Sequence, residues 1–309
     1  MIQERFNNEF DQLLRERPKF LALAVSGGVD SIAMLFLVSS WAQDFGVELF
    51  VFSVNHNLRD QAAEDVLYVE KLAKKLGAKF FALSWNPGGE KSSLQERARQ
   101  GRYDLMTEKC RDLGIDVLLT AHHFDDVIET YLMRKEKKSG IFGLSSSASY
   151  FHNNIRVLRP LFNFFKTELI EFLQARHISW REDASNQSDL YERNRARKKI
   201  TGFSSVDKAK LVEEVRAANE KALLLNEQLI LAMAESLQLN NYGFAKIDLR
   251  KINHFCEDIK IQIFNYALTV IGSKVTTPRF RSIEKFLQKI TDLEDMKCSL
   301  HGCVIKKQG

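Results

Sequence analysis

The chain has 309 residues, enough for two domains that each bury a core. Its 45% hydrophobic and 28% charged content excludes a disordered or fibrous protein. Its four cysteines (Cys110, Cys256, Cys298, Cys303) form no Cys-x-x-Cys pair and have no histidines at zinc-finger spacing, so buried free thiols are expected rather than a disulfide framework or structural metal.

Residues 4–16 space Phe6, Phe10, Leu13 and Leu14 as one face of a short helix. An apolar run over 20–25 has the length of a buried strand and enters Ser26-Gly27-Gly28-Val29-Asp30-Ser31, after which 32–38 opens a helix reaching about residue 44. That second run is far too short to span a bilayer, and the first six residues lack a basic-then-apolar secretory pattern, so no membrane association and a cytoplasmic location are expected. A strand over 48–54 runs out at Asn55-His56-Asn57-Leu58-Arg59, a helix over 61–76 stops at Gly77, and a third strand covers 79–83. Ser93-Leu94-Gln95-Glu96 has the form of a capping box for a helix to about residue 113. A fourth strand over 116–120 precedes Ala121-His122-His123, a helix follows over 125–133, and 157–160 is a short fifth strand stopped by Pro160.

Past residue 200 the pattern becomes helical. Helices are expected over 205–237, 253–271 and 278–290, the last with Thr277 as cap and Pro278 at its first position. The fold class is therefore α/β, a doubly wound parallel five-stranded sheet over 1–202, followed by a mainly helical domain over 203–309. In such sheets ligands bind beyond the carboxyl ends of the strands, where Ser26, His56 and His122 fall.

The loop at 26–31 carries the sharpest chemistry. Its glycines let backbone approach a ligand, and the first N–H groups of the next helix attract phosphate. Asp30 can help hold a divalent metal beside the phosphates, and Ser26 and Ser31 can donate to them. A plain turn with Asp30 or Ser31 as N-cap is the alternative. The sequence has no Gly-x-x-x-x-Gly-Lys-Ser/Thr, which disfavours γ-phosphate transfer of that kind.

Asp126 and Glu129 are three apart and share a helix face, so they can hold magnesium, grip a cationic substrate, or simply complement the helix dipole. Arg99 and Arg102 share a face in the same way and suit developing phosphate charge or a solvated surface. The net charge of +5 is uneven: residues 131–200 hold 14 Lys and Arg against 7 Asp and Glu. Within them, Arg193, Arg195, Arg197, Lys198 and Lys199 lie beside Tyr191 and Asn194, a composition that fits RNA contacts or a basic linker.

Ser26–Ser31 resembles the pyrophosphate loop of the ATP pyrophosphatase (PP-loop) superfamily. Taken with His56-Asn57-Leu58-Arg59, Ala98-Arg99-x-x-Arg102-Tyr103, Ala121-His122-His123-x-Asp125-Asp126-x-x-Glu129-Thr130, Gly140-x-x-Gly143-Leu144, Arg159-Pro160-Leu161 and Asp183-x-x-Asn186…Arg193-Asn194-Arg195-x-Arg197, the order resembles the tRNA(Ile)-lysidine synthase family. The resemblance implies a ligase that uses ATP and L-lysine to modify the wobble cytidine of a CAU-anticodon tRNA(Ile) through an adenylated cytidine, releasing AMP and pyrophosphate. It implies ATP contacts from Ser26, Gly27, Gly28, Val29, Asp30, Ser31 and His56, and magnesium at Asp30. It further implies catalytic roles for Asp30, Arg102, Asp126 and Glu129, and tRNA contacts from Arg193, Arg195, Arg197, Lys198 and Lys199. Whether the two acids take lysine or magnesium stays open, and so does a homodimer. Three places depart from the family pattern: the loop usually rich in Arg-Gly reads Lys137-Lys138-Ser139-Gly140, Asn55 and Asn57 replace the Asp and Gly usually flanking His56, and no proline follows the Arg-Asn-Arg segment. Other adenylating enzymes of the superfamily, such as a tRNA thiolase, or a non-catalytic RNA-binding module are the competing readings.

Overall fold

In the computed structural model, residues 1–55, 62–85, 94–181, 192–273, 276–292 and 295–307 are described. The motif residues His56 to Arg59, the Ser93 cap, Asp183 and Asn186 lie outside them. The chain divides into two compact units, one of Met1–Glu129 with Ser147–Lys199 and one of Thr130–Ser146 with Ile200–Gly309.

In the first unit, helix α1 (Ile2–Leu14) precedes strand β1 (Phe20–Ala24), and helix α2 (Val29–Phe45) leads to β2 (Glu48–Asn55). Helix α3 (Ala62–Lys75), β3 (Lys79–Ser84), α4 (Leu94–Asp112) and β4 (Val117–Leu119) continue the alternation. Helix α5 (Phe124–Glu136) comes next and runs on into the segment of the second unit that also carries the short α6 (Ile141–Leu144), and then β5 (Ser149–His152), β6 (Ile155–Leu158), α7 (Lys166–Gln174) and α8 (Glu192–Thr201) follow. The sheet runs β3-β2-β1-β4-β6-β5. Its first five strands pair in parallel, as expected, and β5 adds an antiparallel sixth at the edge.

The strands alternate between two buried faces, as the period of two requires. Leu21, Leu23, Val51 and Leu119 face one core with α1, α2 and α7, where Phe10 meets Trp41 edge-on at 4.9 Å. Ala22, Phe50, Phe52 and Leu118 face the other with Tyr103, Met106 and Cys110 of α4. Two cores on one sheet are what makes the fold doubly wound.

Three features of this unit were not expected from sequence. The β5–β6 hairpin turns at Asn153 and Asn154, both at positive φ (48° and 65°). This is the backbone a two-residue hairpin demands, and asparagine tolerates it. Helix α7 buries Leu169, Phe172 and Leu173 over only nine residues. Helix α8 is so polar that only Ala196 is buried, so periodicity gave no signal there.

The second unit is mainly helical. Helix α9 (Ser205–Ser236) is unbroken and starts where Ser204 Oγ accepts from the Asp207 amide at 3.1 Å. Two antiparallel hairpins, β7 (Leu237–Asn240) with β8 (Phe244–Ile247) and β9 (Met296–Leu300) with β10 (Cys303–Lys307), accompany α10 (Leu249–Ile252), α11 (Glu257–Ile271) and α12 (Phe280–Asp292). Neither hairpin was expected: their strands are only four or five residues long, and although exposed and less exposed positions alternate along β8, β9 and β10, runs this short do not stand out from the flanking sequence. Helix α12 begins two residues after Pro278, with the Arg279 carbonyl accepting from the Ser282 amide at 2.8 Å, and α11 begins at Glu257 rather than Asn253. Ile259, Ile263, Phe264, Phe286 and Leu287 form this unit's core. The segment 130–146 is fixed within it by Lys135 donating to Glu214 at 2.5 Å and by the Ser146 amide donating to Asn219 Oδ1 at 2.9 Å. Lys138, in the loop that departs from the family pattern, ends α5 in the left-handed region (φ 54°), where glycine is the easier residue. Among the described residues no helix is long and apolar enough to cross a membrane.

Candidate active site

The loop after β1 is held open from inside. The Val25 amide donates to Phe52 O at 2.9 Å, continuing the β1–β2 ladder, and Gly27 then turns at φ 93°. Ser31 Oγ donates to Gly28 O at 2.9 Å, accepts from the Ser26 amide at 3.2 Å and lies 3.3 Å from Ser26 Oγ. Gly28 is the N-cap of α2 and has no side chain to cap it. The first helical bond joins the Ile32 amide to Gly28 O, so the amides of Val29, Asp30 and Ser31 precede the ladder. Positive dipole and open amides at this turn suit a phosphate oxyanion. The Gly27 carbonyl accepts from the Arg181 amide at 2.9 Å, which pins the loop's outer side.

At the end of β4, two adjacent histidines are driven to opposite charge states. His123 is 2% exposed. Its Nδ1 lies 3.3 Å from Asp125 Oδ2, and its Nε2 lies 3.5 Å from Asp30 Oδ1 and 3.7 Å from Asp126 Oδ2. Burial lowers its pKa, but Asp125, Asp30 and Asp126 outweigh that and raise it to about 10, so it is an imidazolium at neutral pH. His122, with Nδ1 3.2 Å from Thr120 Oγ1, is pushed down to about 3 by burial and then by Arg159, so it stays neutral.

Asp126 Oδ2 accepts from the His123 amide at 3.1 Å and caps α5. Burial opposes its charge, but His123 and Arg193 hold it below the usual carboxylate range. Glu129, 3% exposed, goes the other way: burial lifts it, against the pull of Arg197. Arg193 and Arg197 sit one turn apart on α8 and close on it together, Arg197 Nε at 2.5 Å from Oε1 and Arg193 Nε at 3.2 Å from Oε2. Both guanidiniums also approach Asp126 Oδ1, at 3.8 and 3.9 Å.

The expected residues therefore separate into groups. Ser26 to Ser31 form one loop, and His123, which the sequence reading left without a role, joins its Asp30 to Asp126. Arg193 and Arg197, expected at tRNA, face the acids, while Arg195, Lys198 and Lys199 lie exposed on the same helix. Arg102 sits on α4 over Tyr103, and burial lowers its pKa. The His-His doublet at a strand's carboxyl end was the available signal for His123. Nothing in the polar α8 segment signalled which of its arginines turn inward. Asp30 Oδ1 is buried without a hydrogen bond, which fits a residue that shares a cation with bound phosphates.

Residues 2–202 match the family model for the PP-loop domain. The chain is 44% identical to a tRNA(Ile)-lysidine synthase of Rickettsia bellii (strain OSU 85-389), covering 99% of this chain and 72% of that protein. It is 42% identical to the tRNA(Ile)-lysidine synthase of Rickettsia prowazekii (strain Madrid E), with the same coverage. Among solved structures, the U34-tRNA thiolase NcsA from Methanococcus maripaludis, with its [4Fe-4S] cluster, aligns with a TM-score of 0.58 at 14% identity, covering 71% of this chain and 78% of that one. That likeness is one of fold.

Proposed function

The chain belongs to the tRNA(Ile)-lysidine synthase family of PP-loop, ATP-using, tRNA-modifying enzymes, and on that premise we propose that it ligates lysine to the wobble cytidine of a CAU-anticodon tRNA(Ile). The observation that carries the reading is His123, which lies between Asp30 of the phosphate loop and Asp126 of the acidic pair and so joins both to one edge of the sheet.

The cytosine O2 is a poor leaving group and is first adenylated at the α-phosphate of ATP, which releases pyrophosphate. The amides after Gly28, with Ser26 and Ser31, hold the β,γ end. Asp30, whose Oδ1 accepts no hydrogen bond and faces the His123 imidazolium at 3.5 Å, would hold magnesium, whose bound charge offsets that of the phosphates. Arg102 offers a guanidinium to the charge that builds on phosphate. His56 joins the ATP contacts on the strength of the family motif.

Lysine's amine, protonated near pKa 10.4 in water, must lose a proton before it attacks C2 and displaces AMP. Asp126 and Glu129 receive the ammonium. Two guanidiniums already face these two carboxylates. The pair therefore carries little excess negative charge, which favours a monovalent ammonium over magnesium. Burial raises the proton affinity of Glu129, as proton acceptance requires. Arg195, Lys198 and Lys199 meet the RNA backbone, and the target base leaves the anticodon stack at a cost of about a few kcal/mol.

Incubation with ATP, labelled lysine and a CAU-anticodon transcript, each omitted in turn, tests the reading. Label should enter RNA only when all three are present, with AMP formed in equal amount. AMP formation with the transcript but without dependence on lysine, or label entering a transcript with a different wobble base, would overturn it.

A further inference from the structure

Among the arginines of the first unit without an acidic partner, three gather in one place. Arg99, Arg102 and Arg159 have no carboxylate within ion-pair distance among the described residues. They are drawn together by two tyrosines. The guanidinium carbons of Arg99 and Arg102 lie 5.6 and 5.7 Å from the Tyr103 ring centre, and that of Arg159 lies 5.0 Å from the Tyr150 ring centre. The two rings are 6.4 Å apart. Tyr103 is buried, so the rings act as a desolvated floor for the cations rather than as surfaces for stacking bases.

Like charges gathered on such a floor repel one another, and a protein that keeps them without a carboxylate has left room for an external anion. Arg159 itself is under-used: one terminal nitrogen donates to Ser147 O at 3.1 Å, while Nε is buried and unbonded. His122 lies beside the same arginines, and its neutrality reflects burial first and then the charges of Arg159 and Arg99.

The place in the fold narrows the ligand. Arg159 is the first residue after β6, at the carboxyl end of the sheet, where the Thr120 amide bonds Leu158 O at 2.9 Å. In the order β1-β4-β6 it stands two strands from the phosphate loop, roughly 10 Å at the usual strand spacing. That is farther than the β and γ phosphates held at the loop extend, which leaves the phosphates of the RNA as the anion this cluster suits. We propose that Arg159 and Arg99, flanking Arg102, form a binding site for one backbone phosphodiester of the RNA strand that presents the target base. The proposal rests on the reaction proposed above.

The test uses the full chain with Arg159→Gln, Arg159→Lys and Arg99→Gln, folding being checked by circular dichroism. Transcript affinity is measured by filter binding over a salt series, and the KM for ATP is measured separately. Arg159→Gln should weaken transcript binding about tenfold at 0.1 M salt, reduce the log–log salt slope by about 0.7, and leave the KM for ATP within twofold. Arg159→Lys should recover the slope but only part of the affinity, since an ammonium lacks the two-pronged guanidinium geometry. If Arg159→Gln does not fold, Arg99→Gln carries the same expectations. A raised KM for ATP with unchanged transcript affinity would mean that the oxyanion belongs to the nucleotide, and the proposal would fail. It would also fail if neither quantity moved. The binding arm needs no turnover, so a wild-type chain that binds transcript but forms no lysine adduct would sink the reaction while leaving this site to be judged on the salt series.

Discussion

Two sets of arginines lie at the carboxyl edge of the sheet, and they are treated in opposite ways. Arg193 and Arg197, on α8, close on Glu129 and approach Asp126. Arg99, Arg102 and Arg159 rest on tyrosine rings with no acid beside them. In the first arrangement two guanidiniums offset two carboxylates, and the proposed function places a small cation there. The second keeps its positive charge and admits an anion. The reaction proposed above brings an ammonium to an adenylated base, and so needs both environments close together without letting them cancel. The imidazolium of His123 lies among the acids and the neutral imidazole of His122 lies beside the unpaired arginines, so the histidine doublet marks the border.

The comparison breaks most sharply at the loop. Asp30→Ala should lower AMP formation by about a hundredfold or more while filter binding of the transcript is unchanged. Full turnover in that variant would remove the metal role. Next is the acidic side: Glu129→Gln should raise the KM for lysine about tenfold to a hundredfold, the range of a charged hydrogen bond, with the KM for ATP left alone. An equal rise for ATP would erase the distinction between the two sides.

A smaller effect separates the faces of α8. Replacing Arg195, Lys198 and Lys199 with glutamine should weaken transcript binding and flatten its salt slope by up to about 2, at about 0.7 per contact, without moving the KM for lysine. Arg197→Gln should do the reverse, since its partner is Glu129. The smallest test concerns the cysteines. Burial pushes the Cys110 thiol up to about 12, so at pH 8 it stays protonated and unreactive, whereas the exposed Cys256 should label with a thiol reagent in the native protein. Rapid native labelling of Cys110 would show that the core around α4 opens.

The phosphate loop was legible because glycine and helix-start chemistry is local: Gly27 needs its φ of 93° and Ser31 reaches only three to five residues. The parallel strands were legible for a similar reason, since apolar runs punctuated by loops imply crossovers. The edge strand β5 was hidden by its short, half-exposed pattern, although Asn153-Asn154 carried a turn signal. The two hairpins of the second unit were hidden in the same way.

From its own residues the sequence determined the α/β architecture, the loop that suits phosphate, and the helix face that pairs Asp126 with Glu129. Only the tertiary structure decided which cation meets which acid. His123 to Asp30 spans 93 positions along the chain, and Arg197 to Glu129 spans 68, distances over which no periodicity carries information. A side chain's charge state depends on burial and on neighbours from other elements, so two identical histidines side by side in the sequence became an acid's partner and a neutral ring.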